Sequence, residues 1–140
     1  MGILEGTQNR IGFDLDRTLA TFKLDCGDCY DPVVIGDPIE DIVEIAKAHM
    51  AQGDEVVIFT ARVHPSKGED ALLSEMAIKE WCLKVFGREL EVTCMKDPRM
   101  KYIYDDRAVS VSSNSGMIMT VGYVYPRKNM VDSFGEFLEK

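Results

Sequence analysis

The sequence lacks long hydrophobic runs, internal repeats and low-complexity stretches. No stretch approaches the ~20 apolar residues that a membrane-spanning helix needs, and the first residues lack the apolar core of a signal peptide. We therefore expect no membrane partner and a cytoplasmic location. The length predicts a single domain over residues 1–140, in which residues 1–9 form a loose lead-in.

Basic residues are few, with 16 Lys and Arg against 24 Asp and Glu and a formal net charge of −8. Sequence-independent binding of nucleic acid depends on Lys and Arg side chains that neutralise phosphates, so this balance argues against it. A single nucleic-acid end or a small phosphoester held by a metal ion is not excluded. We expect part of the acidic excess to form such a metal site.

Cysteines are also few, and without a secretory signal they are expected to be reduced thiols. Cys26 and Cys29 form a CxxC pair that could hold zinc together with Cys82 and Cys94. The second pair lacks the matching spacing, so ordinary buried or loop cysteines are the favoured interpretation. Zinc or redox chemistry is the minor alternative.

Strand-like and helix-like patterns alternate along the chain. Predicted strands cover residues 10–14, 55–60, 90–95, 101–104 and 108–111, with a hairpin returning over 117–125 after a turn at 114–116. Predicted helices cover 37–53, with Asp37 as N-cap, 70–86 and 129–139. This alternation predicts an α/β fold, a Rossmann-like three-layer sandwich with a mostly parallel central sheet and helices on both faces.

Acidic residues follow two of the short apolar runs. Asp14 ends the first predicted strand and Asp16 lies two residues further on, while Asp105 and Asp106 follow the fourth strand. Thr60 ends the second strand, and the carboxyl ends of parallel strands meet at one edge of a sheet, where ligands bind. Carboxylates crowded at that edge repel one another, and a bound cation offsets the repulsion. The pattern predicts a metal-dependent enzyme of phosphate chemistry.

Four pieces carry a resemblance to a known family, and they occur in the order Asp14-Leu15-Asp16-Arg17-Thr18, Thr60-Ala61-Arg62, Lys96 and Asp105-Asp106. In order and chemistry this resembles the haloacid dehalogenase-like (HAD) superfamily of phosphatases, over roughly residues 10–116. Shorter runs, such as Ile35-Gly36-Asp37-Pro38-Ile39, resemble small capless members common in phage and bacterial genomes. Arg17 departs from the family pattern, which usually has Gly there.

The resemblance implies a Mg²⁺-dependent hydrolase of phosphomonoesters. Asp14 would attack phosphorus and form an aspartyl-phosphate, and Asp16 would protonate the leaving oxygen and later activate water. Thr60 would hydrogen-bond the phosphoryl group. Lys96, with Lys101 as the alternative, would offset negative charge on Asp14 and on the transferring group.

The resemblance also implies the metal ligands. Mg²⁺ would bind the carboxylates of Asp14, Asp105 and Asp106 and the backbone carbonyl of Asp16, an all-oxygen set. The sequence leaves open whether Asp105 or Asp106 binds directly and which binds through water.

The intervals between motifs are too short for a cap domain and leave only a flap at residues 20–36. The resulting open site suits the phosphate of a nucleic-acid end, such as a polynucleotide 3′-phosphate. It equally suits a small phosphorylated molecule covered by a second subunit of a homo-oligomer.

A second hypothesis is a non-catalytic regulatory protein that binds phosphate or metal. Response-regulator receivers also place acids, Thr and Lys at strand ends, but their acidic pair comes early, whereas here Lys96 precedes a late pair. Two other residues complete the expectations. Arg62 is expected either to bind substrate or to pair with acids, and His49 is expected at the surface.

Overall fold

This computed structural model describes residues 8–22 and 30–120, and of Thr120 only the backbone. The chain divides into two units at the junction of Tyr104 and Asp105. The first unit contains β1 (Arg10–Phe13), α1 (Glu40–Ala51), β2 (Glu55–Phe59), α2 (Glu69–Phe86), β3 (Val92–Thr93) and β4 (Met100–Tyr104). The second contains β5 (Ser110–Val111) and β6 (Ile118–Thr120).

The first unit is built on a four-stranded parallel sheet in the order β3-β2-β1-β4. In the central strand β1, Ile11 pairs with Val56 of β2 and Tyr102 of β4. Apolar, largely β-branched strands such as β2 are typical of parallel sheets that are covered by other elements. The predicted α/β fold with a mostly parallel sheet is confirmed, and all four carboxyl ends lie at one edge.

Both described helices pack on the same face of this sheet. One apolar cluster joins Ile11 and Phe13 of β1 to Ile78 of α2, and it also includes Val43 and Ala46 of α1. The topology accounts for this. From β1 to β2 to β3 the chain moves across the sheet in one direction, and right-handed crossovers in the same direction place both connecting helices on one face. The predicted helix over 129–139 lies outside the described residues, so the three-layer arrangement with helices on both faces stays a prediction.

The predicted start of α1 is wrong. Its N-cap is Ile39 and its first helical residue is Glu40, whereas Asp37 was expected to cap the helix. Residues 37–39 instead run beside residues 19–21, where the Thr21 N–H donates to the Asp37 carbonyl at 2.8 Å and the Ile39 N–H donates to Leu19 at 2.7 Å. Backbone pairing at this position leaves Asp37 unable to adopt the capping geometry.

The same pairing brings two backbone segments into close approach. A Cβ atom built on Gly36 would lie 1.9 Å from the carbonyl oxygen of Thr21, so only glycine fits there. The indole N–H of Trp81 donates to the Gly36 carbonyl at 3.1 Å and ties this segment to α2. These contacts close the base of the predicted flap, of which residues 23–29 lie outside the description.

A buried cation lies at the opposite end of β1 from Asp14. Arg10 forms ion pairs with Glu91 at 2.6 Å, with Glu55 at 3.6 Å and with Asp97. Burial lowers the pKa of the guanidinium, but the hydrogen bond and charge of Glu91, together with the other two acids, outweigh it and raise the pKa overall. Arg10 therefore joins β1 to β2 and to the segments flanking β3.

In the second unit, β5 and β6 form an antiparallel hairpin. Its turn contains Asn114 and Gly116 in the left-handed region, at φ values of 62° and 75°. This confirms the predicted turn at 114–116, while residues 121–125 of the predicted return strand lie outside the description. Among the helices that the structure describes, none combines the length and apolar character needed to cross a membrane.

Candidate metal and phosphate site

Three of the predicted site residues lie at strand ends of the parallel sheet or directly after them. Asp14 follows β1 and its N–H donates to the carbonyl of Tyr104, the last residue of β4, at 2.9 Å. Thr60 follows β2 and its N–H donates to Thr93 at 2.9 Å. Asp105 is joined to Tyr104 by the next peptide bond. The backbone at each of these residues is therefore fixed by strand pairing at the residue itself or at the residue before it.

Asp14, Asp105 and Asp106 form an acidic cluster. Each contributes a carboxylate oxygen, these oxygens lie within 4.8 Å of one another, and all three residues are half-buried. Carboxylate oxygens are the ligands that hard cations such as Mg²⁺ and Ca²⁺ prefer. The donor set therefore fits a metal ion, and the acidic triad could hold one.

The fourth predicted ligand is the backbone carbonyl of Asp16. Among the described residues, no backbone N–H donates to this carbonyl. The neighbouring carbonyl of Leu15, by contrast, accepts from the N–H groups of Thr18, Leu19 and Ala20. These three hydrogen bonds to one carbonyl fix the loop after β1, and the side chain of Leu15 is fully buried.

Thr18 and Arg17 shape this loop. The Thr18 hydroxyl donates to Oδ2 of Asp14 at 3.2 Å, an arrangement that orients the Asp14 carboxylate. Arg17 has a φ of 71°, a left-handed conformation that glycine adopts without a steric penalty. The guanidinium of Arg17 lies 4.9 Å from the centre of the Phe22 ring. Arg17 therefore has a strained backbone conformation, and its side chain lies against an aromatic ring.

The Asp16 side chain is bound by Arg62. Nε of Arg62 donates to Oδ2 of Asp16 and Nη2 donates to Oδ1, both at 2.8 Å. Arg62 is buried, with a side chain 4% exposed, whereas that of Asp16 is 20% exposed. The sequence left open whether Arg62 binds substrate or pairs with acids. The structure places it in a bidentate ion pair with one of the predicted catalytic residues.

Thr60 and Lys96 differ in how closely the fold holds them. Thr60 is buried, and its hydroxyl oxygen accepts from the Arg62 N–H at 3.2 Å, which caps the short helical turn Ala61–Val63. Lys96 lies in the loop after β3 and is exposed. Among the described residues, no ion pair joins Lys96 to an acidic side chain.

His49 is not the surface residue that the sequence suggested. Its side chain is 13% exposed, and its Nδ1 atom lies 3.0 Å from Oδ2 of Asp54. Its Nε2 atom lies 2.9 Å from the hydroxyl of Tyr104. A histidine near the end of a predicted helix gave no signal of this contact, because its partner on β4 is 55 residues away in the chain.

The described cysteines do not combine into a zinc site. Cys82 is buried in α2, and Cys94, after β3, is half-buried; both are free thiols. Burial raises the pKa of the Cys82 thiol to about 12, which keeps it protonated and unsuited to metal binding. Cys26 and Cys29 lie outside the described residues, so the CxxC hypothesis stays a prediction.

In comparisons with known proteins, no family model, curated protein or solved structure matches the chain. Any assignment of function therefore depends on the geometry and chemistry of the site itself.

Proposed function

We propose that the protein is a Mg²⁺-dependent phosphomonoester hydrolase of the HAD-like type, which acts through an aspartyl-phosphate intermediate. The acidic cluster carries this proposal. Three carboxylates gathered after the adjacent strands β1 and β4 are costly without a cation. A bound Mg²⁺ would supply charge that neutralises the phosphate oxygens as the phosphoryl group is transferred.

Asp14 is the proposed nucleophile. Its position directly after the central strand fixes its backbone, and the Thr18 hydroxyl holds one of its carboxylate oxygens. Attack of the other oxygen on phosphorus forms the acyl-phosphate bond as the ester oxygen leaves with a proton. Water then hydrolyses the acyl phosphate and regenerates the Asp14 carboxylate.

Asp16 is the proposed acid and base for these two steps. In the described conformation Arg62 occupies both of its carboxylate oxygens. Each of these oxygens accepts one Arg62 N–H and keeps a further lone pair, on which the transferred proton could be carried. A carboxyl group held in one orientation in this way is suited to proton transfer.

Thr60 and Lys96 are proposed to act on the phosphoryl group. The Thr60 oxygen accepts from the Arg62 N–H, so its own hydroxyl hydrogen is able to donate to a phosphate oxygen. Lys96 is exposed on a loop at the same edge of the sheet, where a flexible cation would be recruited by the charge of the substrate. Its role requires movement of the side chain towards Asp14.

The proposed substrates are a phosphorylated small molecule, with a second subunit over the site, or the phosphate at a nucleic-acid end. A non-catalytic regulator that binds phosphate or metal is the second candidate, because the acidic cluster could hold a cation without any turnover of substrate. Turnover separates the two, because a regulator would bind the cation without releasing phosphate.

The test is release of inorganic phosphate from an aryl phosphate, measured with excess MgCl₂ and with EDTA. We expect Mg²⁺-dependent release that Asp14→Asn abolishes, and Asp70→Asn, the same chemical change at an exposed residue of α2, to leave it intact. Asp16→Ala should slow turnover more for poor leaving groups than for good ones. Phosphate release by Asp14→Asn at the wild-type rate would refute the nucleophile assignment.

A further inference from the structure

We propose that Arg62 is a positioning residue that orients the Asp16 carboxylate and couples it to the chain segment 32–34. The inference rests on the proposed function for its catalytic consequence. The underlying contacts belong entirely to the first unit and are independent of any metal ion. Arg62 is not assigned to contact substrate, because Asp16 and two backbone carbonyls already engage its guanidinium.

The guanidinium is held from several directions. In addition to both oxygens of Asp16, it donates through Nη1 to the carbonyl of Val34 at 3.0 Å and to that of Pro32 at 3.4 Å. It also lies 5.3 Å from the centre of the Tyr30 ring and 5.7 Å from that of Phe22. A planar donor fixed on so many sides has few rotamers left, so it defines the direction in which the Asp16 carboxylate points.

The hydrogen bonds of Arg62 also join three chain segments that are remote from one another in sequence. Arg62 follows β2 and Asp16 follows β1, while Pro32 and Val34 belong to the predicted flap. A shift of residues 32–34 therefore changes the hydrogen bonds of the group that holds Asp16. Burial of the Arg62 side chain strengthens this coupling, because loss of Asp16 would leave the guanidinium charge and its N–H groups poorly solvated.

Ser74 of α2 provides a matched control. Its hydroxyl, fully buried, donates to the Pro32 carbonyl at 2.7 Å. Ser74→Ala thus loosens the same flap segment without removing a group that touches Asp16. If Arg62 acted only as a structural anchor of the flap, Arg62 and Ser74 variants would have the same consequences.

The first measurement is amide hydrogen exchange on the metal-free protein, which needs no activity. We expect Arg62→Lys to accelerate exchange about ten-fold or more at the loop amides of Thr18, Leu19 and Ala20, since a charge-assisted hydrogen bond is worth about that factor. Ser74→Ala should change the same amides less than about two-fold, because Asp16 keeps its partner. Equal acceleration by both variants, or none by Arg62→Lys, would overturn the inference.

The second measurement is phosphate release across a leaving-group series by Arg62→Lys and Arg62→Ala. We expect kcat to fall most for poor leaving groups, as for Asp16→Ala, and added guanidinium ion to restore part of the activity of Arg62→Ala. A uniform loss across the series without such rescue would contradict a positioning role. Inactive wild-type protein would refute the proposed function instead, and the exchange measurement would still decide whether Arg62 orients Asp16.

Discussion

The Nε2 atom of His49 lies 2.9 Å from the hydroxyl oxygen of Tyr104, the residue that directly precedes Asp105. The Nδ1 atom of the same ring lies 3.0 Å from Oδ2 of Asp54, so the imidazole bridges this carboxylate and the tyrosine hydroxyl. The Tyr104 ring also stacks on Phe13, with centroids 4.4 Å apart and planes 4° apart. The two residues that precede Asp14 and Asp105 are thereby held against each other.

We expect Tyr104→Phe to lower the free energy of unfolding by about 1 kcal/mol, because it removes the hydroxyl and its hydrogen bond but keeps the ring. Urea denaturation measures the change. In a His49→Leu background the same substitution should cost close to nothing, since the hydrogen-bond partner of the hydroxyl is already gone. An equal cost in both backgrounds would show that the two side chains are not energetically coupled.

Neutralising one member of the acidic cluster should have opposite effects with and without metal. Asp105→Asn removes a repulsive charge, so the metal-free variant should be more stable than the wild type by about 1 kcal/mol. It should also lose most of the stabilisation that Mg²⁺ gives the wild type. Thermal unfolding with EDTA and with excess MgCl₂ measures both effects. Glu80→Gln, an exposed residue of α2 with the same change in net charge, should show neither.

The left-handed backbone of Arg17 predicts a difference between two small substitutions. Arg17→Ala and Arg17→Gly both delete the side chain and its contact with Phe22, but alanine retains the unfavourable φ of 71°. We therefore expect the glycine variant to be more stable than the alanine variant by about 1 kcal/mol. Chemical denaturation of the two variants measures this difference in unfolding free energy. Equal or greater stability of Arg17→Ala would mean that the loop relaxes away from this conformation.

The buried thiol of Cys82 predicts a loss of stability in alkali. Its pKa is raised from 9.0 to about 12 in the folded protein, so above pH 9.0 the unfolded chain ionises while the folded chain keeps the proton. The contribution of Cys82 is therefore fully present below pH 9.0 and falls by about 1.4 kcal/mol per pH unit above it.

Urea denaturation of the wild type and Cys82→Ala on either side of that pH measures this effect. The difference in unfolding free energy between the two proteins should shift against the wild type as the pH rises. Cys94→Ala, which retains Cys82, should follow the wild-type slope. A pH-independent difference between wild type and Cys82→Ala would contradict the expected desolvation of the thiol.

The sequence was sufficient for the features that depend on near neighbours in the chain. Apolar β-branched runs and helical spacing predicted α2 and most strand positions, because burial on a sheet or along a helix face imposes those periods. A carboxylate directly after a strand lies at the carboxyl end of that strand. Because β1 and β4 are parallel, Asp14 and Asp105 therefore lie at the same edge of the sheet. The start of α1 was missed because its local capping signal competed with pairing between Ala20 and Pro38.

By itself, then, the sequence determined the alternation of strands and helices and the acids that follow the strands. Only the tertiary structure decided which distant side chains meet. Arg62 binds Asp16 across 46 residues and His49 reaches Tyr104 across 55, contacts that depend on loop paths and side-chain directions. Residue spacing carries no information about either, because both are set when separate elements pack together.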